Sequence, residues 1–300
     1  MKVLVIGGGI SDERDISLKS ARAILEAART AGNEADFYDW DGSSEWLMAN
    51  AKVYEVILPI LHGPGGEDGL IQSIIEKTKV PYLGTDAAAS AVCMDKQRTR
   101  EELMKSGVRI PAGQTVFWEE YIVNPLSDKG HVVKPLSGGS SIDTHILPDG
   151  RPSNLADIHE SFIKHGTLLI EEFISGPEIT VPVLHGKLLP VIEIIPPENE
   201  FFDLENKYNG KTKELIPPKS ISKHLQTVAQ DLARQVHDIM HARHLSRVDM
   251  IVQQDELVVL EINTIPGMTN QSLFPLAAKH AGMDMPALVE YLIKLCLEVK

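Results

Sequence analysis

Short apolar runs closed by glycine turns alternate with apolar stripes at three- and four-residue spacing along the first part of the chain. Val3 to Ile6 reads as a strand entering a glycine turn. Ser17 to about Ala31 reads as a helix with Leu18, Ala21, Ile24, Leu25 and Ala28 on one stripe and Gly32 as its stop. Val56 to Leu61 is a second strand, leading through HGPGGEDG into a helix that carries Leu70, Ile71, Ile74 and Ile75. Strand and helix in alternation predict an open α/β domain with a parallel sheet, ending near Gly84.

From about Ala87 the pattern changes to a helix with Met94-Asp95-Lys96 inside it. Short strands follow at Gln114 to Phe117 and His131 to Lys134, and Leu168 to Phe173 closes a smaller α+β unit. Strands Ile179 to Leu184 and Leu188 to Ile195 then lead into a polar stretch, Pro196 to Lys219, that suits a loop. A helix with Leu225, Val228, Leu232, Val236 and Ile239 on one side precedes strands Arg247 to Val252 and Leu257 to Ile262, and a helix comes last. The expected division is 1–86, 87–172 and 173–300.

The 300 residues are 43% hydrophobic and 24% charged, enough apolar material for more than one core. A net charge of -13 argues against a nucleic-acid groove or an anionic membrane surface, either of which wants a basic face. Cys93 and Cys296 lack metal-ligand spacing, so reduced thiols and a cytoplasmic location are expected. The opening MKVLVIGGG has too short an apolar run for a signal peptide, and no segment approaches a membrane span.

The last two strands form a hairpin if the chain turns at about Gln254 to Glu256. Asp249 then falls opposite Glu261 and Arg247 opposite Asn263, all on one face, because side chains alternate with period two. Opposed carboxylates repel and call for a cation; carboxylates with an amide oxygen are hard donors that suit Mg²⁺. A second group is VVKPLSGGSSI, where Lys134 precedes a Gly/Ser loop rich in backbone N–H groups, suited to a phosphate chain but unlike the P-loop order. Gly7, Gly8 and Gly9 follow the first strand, but Asp12 stands where a dinucleotide-binding fingerprint needs its third glycine. Cys93 reads as helix packing, and His241 with His244 as a solvated pair.

HGPGGEDGLIQ, ASAVCMDK, VVKPLSGGSS, LLIEEFISGPEITV, NKYNG, SRVDM and LEINTIPGMTNQSL stand in the order and spacing of the D-alanine-D-alanine ligases, of the ATP-grasp superfamily. The chain resembles that family nearly end to end. The resemblance implies a three-domain ATP-grasp fold, with ATP held between the sheets of the central and C-terminal domains and a lid loop at about 200–219. It implies that Lys96, Lys134, Ser141 and Lys207 contact the phosphates. Glu171, Glu172, Phe173 and Ile174 would read adenine, Glu178 would hold the ribose, and Leu260 would lie against the base. Asp249, Glu261 and Asn263 match the ligands of two Mg²⁺ ions, with Mn²⁺ as a substitute. Glu13, Ser140 and Tyr208 match the group that holds the first D-alanine, with His62 beside them. Arg247 and the Gly267 N–H would stabilise the oxyanion, and Ser272 with the Leu273 N–H would hold the second carboxylate. The activity implied is D-alanyl-D-alanine synthesis through a D-alanyl phosphate for peptidoglycan, by a homodimer.

The chain departs from many relatives at Gly138, at Asp143 and at Ser246, and the stretch from Phe117 to His131 looks short for the central domain. The alternatives are a ligase making D-alanyl-D-lactate, D-alanyl-D-serine or another dipeptide, and a nucleotide-binding module without turnover. The module should show damage among Arg247, Asp249, Glu261 and Asn263, and all four are present. A nicotinamide oxidoreductase fails on the missing glycine.

Overall fold

The computed structural model describes residues 1–185, 187–197, 201 and 211–298. The chain opens with β1 (Lys2–Gly8), α1 (Arg14–Thr30), β2 (Glu34–Trp40), α2 (Glu45–Asn50), β3 (Val56–Pro59) and α3 (Leu70–Thr78). The three strands form a parallel sheet in the order β2-β1-β3. Val3, Leu4, Val5 and Ile6 are all fully buried because helices cover both faces of the central strand. Val3 and Val5 point into a core with Ala21 and Ile24 of α1, whereas Leu4 and Ile6 point into another with Ile71 and Ile75 of α3. α1 starts at Arg14, ahead of the expected Ser17. The edge strand β2 escaped the sequence reading; its EADFYDW carries no continuous apolar run because only part of it is covered.

Next come α4 (Ala87–Met94) and α5 (Lys96–Lys105), which the sequence reading had joined into one helix. Asp95 separates them: its backbone is extended (φ -86°, ψ 106°) and its carboxylate accepts from the Gln97 and Arg98 N–H groups as the N-cap of α5. This break puts the backbone of Lys96 against Leu136, whose carbonyl accepts the Lys96 N–H at 2.8 Å.

The next sheet is antiparallel, built from β4 (Gly113–Val116), β5 (His131–Pro135), β6 (His145–Leu147) and β7 (Leu168–Glu172) in the order β4-β7-β5-β6. α6 (Trp118–Val123) and α7 (Ala156–His165) cover one face, packing Tyr121, Ile158 and Phe162 on Val133, Leu168 and Ile170. Alternation sends Lys134 and Glu171 to the other face.

The largest sheet contains β8 (Glu178–Leu184), β9 (Lys187–Leu188), β10 (Ile192–Ile195), β11 (Lys213–Leu215), β12 (Leu245–Gln253) and β13 (Glu256–Asn263). Its order is β11-β10-β8-β12-β13, with β9 paired on β8. β11 lies inside the stretch expected to be loop, pairing Lys213 to Leu215 with β10. α8 (Lys223–Ile239), capped by the Ser222 hydroxyl on the Leu225 N–H, covers one face with Ala229, Ala233 and Val236 on Ile179, Val248 and Met250. α9 (Leu273–His280) and α10 (Met285–Glu298) return to the first sheet, so Phe274, Leu288 and Leu292 share a core with Val3 and Val5. His244 lies at this junction and is buried, contrary to the expectation of a solvated pair; its Nδ1 accepts the Gly84 N–H at 3.0 Å.

Candidate active site

The exposed faces of the two antiparallel sheets enclose a cavity of about 410 Å³ and an adjoining cleft of about 170 Å³. Lys96, Lys134, Gly138, Glu171, Leu260 and Glu261 line both, so the spaces are continuous.

The floor is the β12–β13 hairpin. Arg247 pairs with Asn263 and Asp249 with Glu261, the register expected from sequence. The cause differs from the expected longer turn. Gln253 pairs with Glu256 around a two-residue turn, Gln254 and Asp255, both at positive φ (52° and 64°). A bulge between Asp249 and Met250 then restores the register, leaving Leu260 as the extra residue. Leu257, Val259 and Ile262 pack into the α8 core, while the bulge turns both Leu260 and Glu261 to the cavity.

Asp249 is buried, and its oxygens receive Arg247 Nε at 2.9 Å, Arg247 Nη2 at 2.7 Å and Thr180 Oγ1 at 2.5 Å. Asn263 Oδ1 accepts the Ile265 N–H at 3.1 Å. Among the described residues no group of three or more His, Cys, Asp or Glu stands in position to hold a metal. The donor set of Asp249, Glu261 and Asn263 is all oxygen and suits a hard divalent cation, with Arg247 competing for Asp249.

The roof carries Lys134, whose Nζ lies 2.6 Å from Glu171 Oε2 while Arg100 bonds Oε1 of the same carboxylate. Lys96 Nζ donates to the Gly138 carbonyl at 2.8 Å. The Gly/Ser loop between them is tightly wound: Ser140, Ser141 and Asp143 have φ of 52°, 60° and 54°. Asp143 anchors it to the end of α7 through Lys164 at 2.8 Å and His165 at 2.7 Å. Those two partners hold the Asp143 carboxyl below its ordinary range. Glu172, Phe173, Ile174 and Glu178 line the smaller cleft with Ser141. Phe173 N–H bonds the Gly130 carbonyl at 2.9 Å, and Glu172 Oε1 takes the Ala112 N–H at 2.9 Å.

At the far end stands Glu13, just ahead of α1 and buried, with the Ser140 hydroxyl bonded to its Oε1. A Cβ on Gly63 or on Gly139 would lie 2.6 or 2.8 Å from Glu13 Oε2, so a side chain at either position would push that carboxylate aside. His62 is buried beside it, Nε2 lying 3.3 Å from Ser20 Oγ, and burial pushes its imidazole down to about 4. Gly267 approaches Ser272, whose Oγ accepts the Thr269 N–H at 3.0 Å and lies 2.8 Å from Thr269 Oγ1, just before Leu273 opens α9. Lys207 and Tyr208 lie outside the described residues. Glu67, within HGPGGEDG, is a residue that the sequence pattern does not single out; it lines the cavity, and burial together with the charge of Glu13 pushes it up to about 8.

The D-ala D-ala ligase C-terminus family model matches residues 128–294. The chain is 36% identical over 307 residues to the D-alanine–D-alanine ligase of Halalkalibacterium halodurans, covering 99% of this chain and 100% of that protein. It is 37% identical over 312 residues to the one from Desulforudis audaxviator, with 99% of each covered. Among solved structures, D-alanine–D-alanine ligase from Bacillus anthracis complexed with ATP superposes with a TM-score of 0.85 at 28% identity, covering 99% of this chain and 97% of that one. VanG D-Ala:D-Ser ligase from Enterococcus faecalis superposes with a TM-score of 0.80, also at 28% identity, with 99% of each covered. Identity of 36–37% spanning the whole chain, with the family model matching residues 128–294, makes this chain a member of the D-alanine–D-alanine ligase family.

Proposed function

We propose that the chain joins two D-alanines at the expense of ATP, through a D-alanyl phosphate, for peptidoglycan precursor synthesis in the cytoplasm. The observation that carries this reading is the face of β12 and β13: Arg247, Asp249, Glu261 and Asn263 meet in register under Lys96 and Lys134. ATP would lie in the smaller cleft, its adenine against Leu260 and the backbone of 171–174, its ribose on Glu178. Lys96, Lys134, Lys207 and Ser141 would take the phosphates. Asp249, Glu261 and Asn263 would hold Mg²⁺, or Mn²⁺ in its place; when bound, the metal neutralises charge on the β- and γ-phosphates.

Glu13, positioned by Ser140 and joined by His62 and Tyr208, would hold the first ammonium. A carboxylate oxygen of that D-alanine attacks the γ-phosphorus and the bond to ADP breaks. The amine of the second D-alanine attacks the acyl carbon, and phosphate departs with the carboxylate oxygen. Arg247 and the Gly267 N–H would stabilise the oxyanion. Ser272 and the Leu273 N–H, at the start of α9, would fix the second carboxylate. The divisions 1–86, 87–172 and 173–300 would supply the first-substrate wall, the roof and the floor; the segment near 200–219 would be the lid, and two copies would associate as a homodimer.

A D-alanyl-D-serine product has the VanG neighbour in its favour, whereas the relatives at 36–37% identity favour D-alanyl-D-alanine. Purified protein with Mg-ATP and D-alanine, alone or with D-serine or D-lactate, tests this by product mass. D-alanyl-D-alanine as the main product in every mixture supports the reading; a mixed product, or none, overturns it.

A further inference from the structure

The incoming amino acid arrives as an ammonium, and a nitrogen holding three protons has no lone pair for the acyl carbon. A group that accepts one of them has to face the cavity that also holds Glu13, Arg247 and Ser272. Glu67 occupies that position. The preceding turn, with Gly63 and Gly65 at φ of 71° and 86°, brings it to the cavity wall, where Oε2 accepts the Gly63 N–H at 2.7 Å. A Cβ on the same Gly63 would stand 2.6 Å from Glu13 Oε2, so the two carboxylates flank a single residue.

The charged groups around Glu67 are arranged for proton exchange. Glu13, from the segment ahead of α1, presents like charge and raises the carboxyl, while Arg247, from β12 and forked on Asp249, offsets part of that rise. His62, on the same loop as Glu67, is held down to about 4 and brings no competing cation. Among the described residues no lysine or arginine forms an ion pair with Glu67. Burial and Glu13 leave its carboxyl near 8, a range in which a general base both takes and returns a proton at neutral pH.

We propose that Glu67 is the proton acceptor for the incoming amino acid in this ligation. The inference rests on the ligase reading above. An ammonium N–H bond breaks and an O–H bond forms on Glu67; the freed electron pair makes the C–N bond as the C–O bond to phosphate breaks. The second proton shed when the amide forms leaves with phosphate, and Glu67 returns its own to solvent after product release.

The test compares two acceptors in Glu67→Gln, which keeps an oxygen for the Gly63 N–H. With D-alanine as acceptor, kcat should fall by about 100-fold or more. With hydroxylamine, uncharged at neutral pH, trapping of the D-alanyl phosphate as hydroxamate should match the unchanged protein. Raising the pH should restore the D-alanine reaction in Glu67→Gln, as free amine accumulates. Glu67→Asp, which keeps a carboxylate, should recover most of the rate. Equal losses with both acceptors, an unaffected Glu67→Gln, or no recovery in Glu67→Asp would overturn the proposal. If the unchanged protein forms no dipeptide at all, it is the ligase reading that fails.

Discussion

Arg247 holds the carboxylate of Asp249 by two hydrogen bonds, Nε to Oδ1 at 2.9 Å and Nη2 to Oδ2 at 2.7 Å, from two positions away on the same strand. Period two puts both on the cavity face of β12, and burial makes the pairing strong. The fork aims a guanidinium at the cavity while occupying a carboxylate proposed for a metal. Arg247→Ala should therefore abolish ligation, a loss of ~3 kcal/mol or more of transition-state stabilisation, while nucleotide binding persists. Steady-state turnover and equilibrium ATP binding separate the two effects, and near-normal turnover would refute the oxyanion assignment.

Asp249→Asn and Glu261→Gln should each raise the Mg²⁺ concentration needed for half-maximal turnover by about tenfold or more, since each removes an anionic oxygen from a hard-donor set. Titrating Mg²⁺ at fixed ATP checks this. An unchanged midpoint in both variants would place the metal elsewhere.

Glu13→Gln keeps the bond to Ser140 but removes the charge that would face the first ammonium. The KM for D-alanine at its first site should rise at least about tenfold, as expected for a lost charge-assisted bond, with the KM for ATP little changed. Equal rises in both would count against the assignment.

Stability should depend on pH through three buried imidazoles. His62, His237 and His244 are each pushed down to about 4, chiefly by burial, from an ordinary 6.5. Between those values the unfolded chain binds more protons than the folded one, so their stabilising effect is complete above 6.5 and is lost as the pH falls towards 4. Glu67, raised to about 8 from 4.5, acts with the opposite sign: its effect is complete below 4.5 and lost as the pH rises through 8. The melting temperature should drop between pH 7 and pH 5. His237→Asn, which can still bond Ser246, should make that drop shallower; equal slopes in the two proteins would exclude His237 as a contributor.

The opposition of Asp249 and Glu261 was legible because strand periodicity and a nearby turn bring those positions close, yet a tighter turn and a bulge at Leu260 produce it. Local patterning carried the central strands, whose burial on both faces leaves an apolar run. It failed where tertiary cover decides: β2 and β11 are edge strands with mixed exposure, and Asp95 stands where the apolar run Ala87–Met94 passes directly into the charged Lys96–Lys105, so no turn residue marks the break. The family resemblance placed Glu13, Lys96, Lys134 and Arg247 on one cavity, as the structure does. Glu67 and His244 gave no comparable signal, since what sets them apart is burial and the neighbours the fold brings to them.

The most direct measurement follows oxygen from substrate to product. With D-alanine labelled by ¹⁸O in its carboxylate, turnover with Mg-ATP should give D-alanyl-D-alanine and inorganic phosphate carrying one ¹⁸O for each dipeptide formed, because that oxygen bridges carbon and phosphorus in D-alanyl phosphate. Dipeptide with unlabelled phosphate, or ATP bound without any dipeptide, would contradict the account.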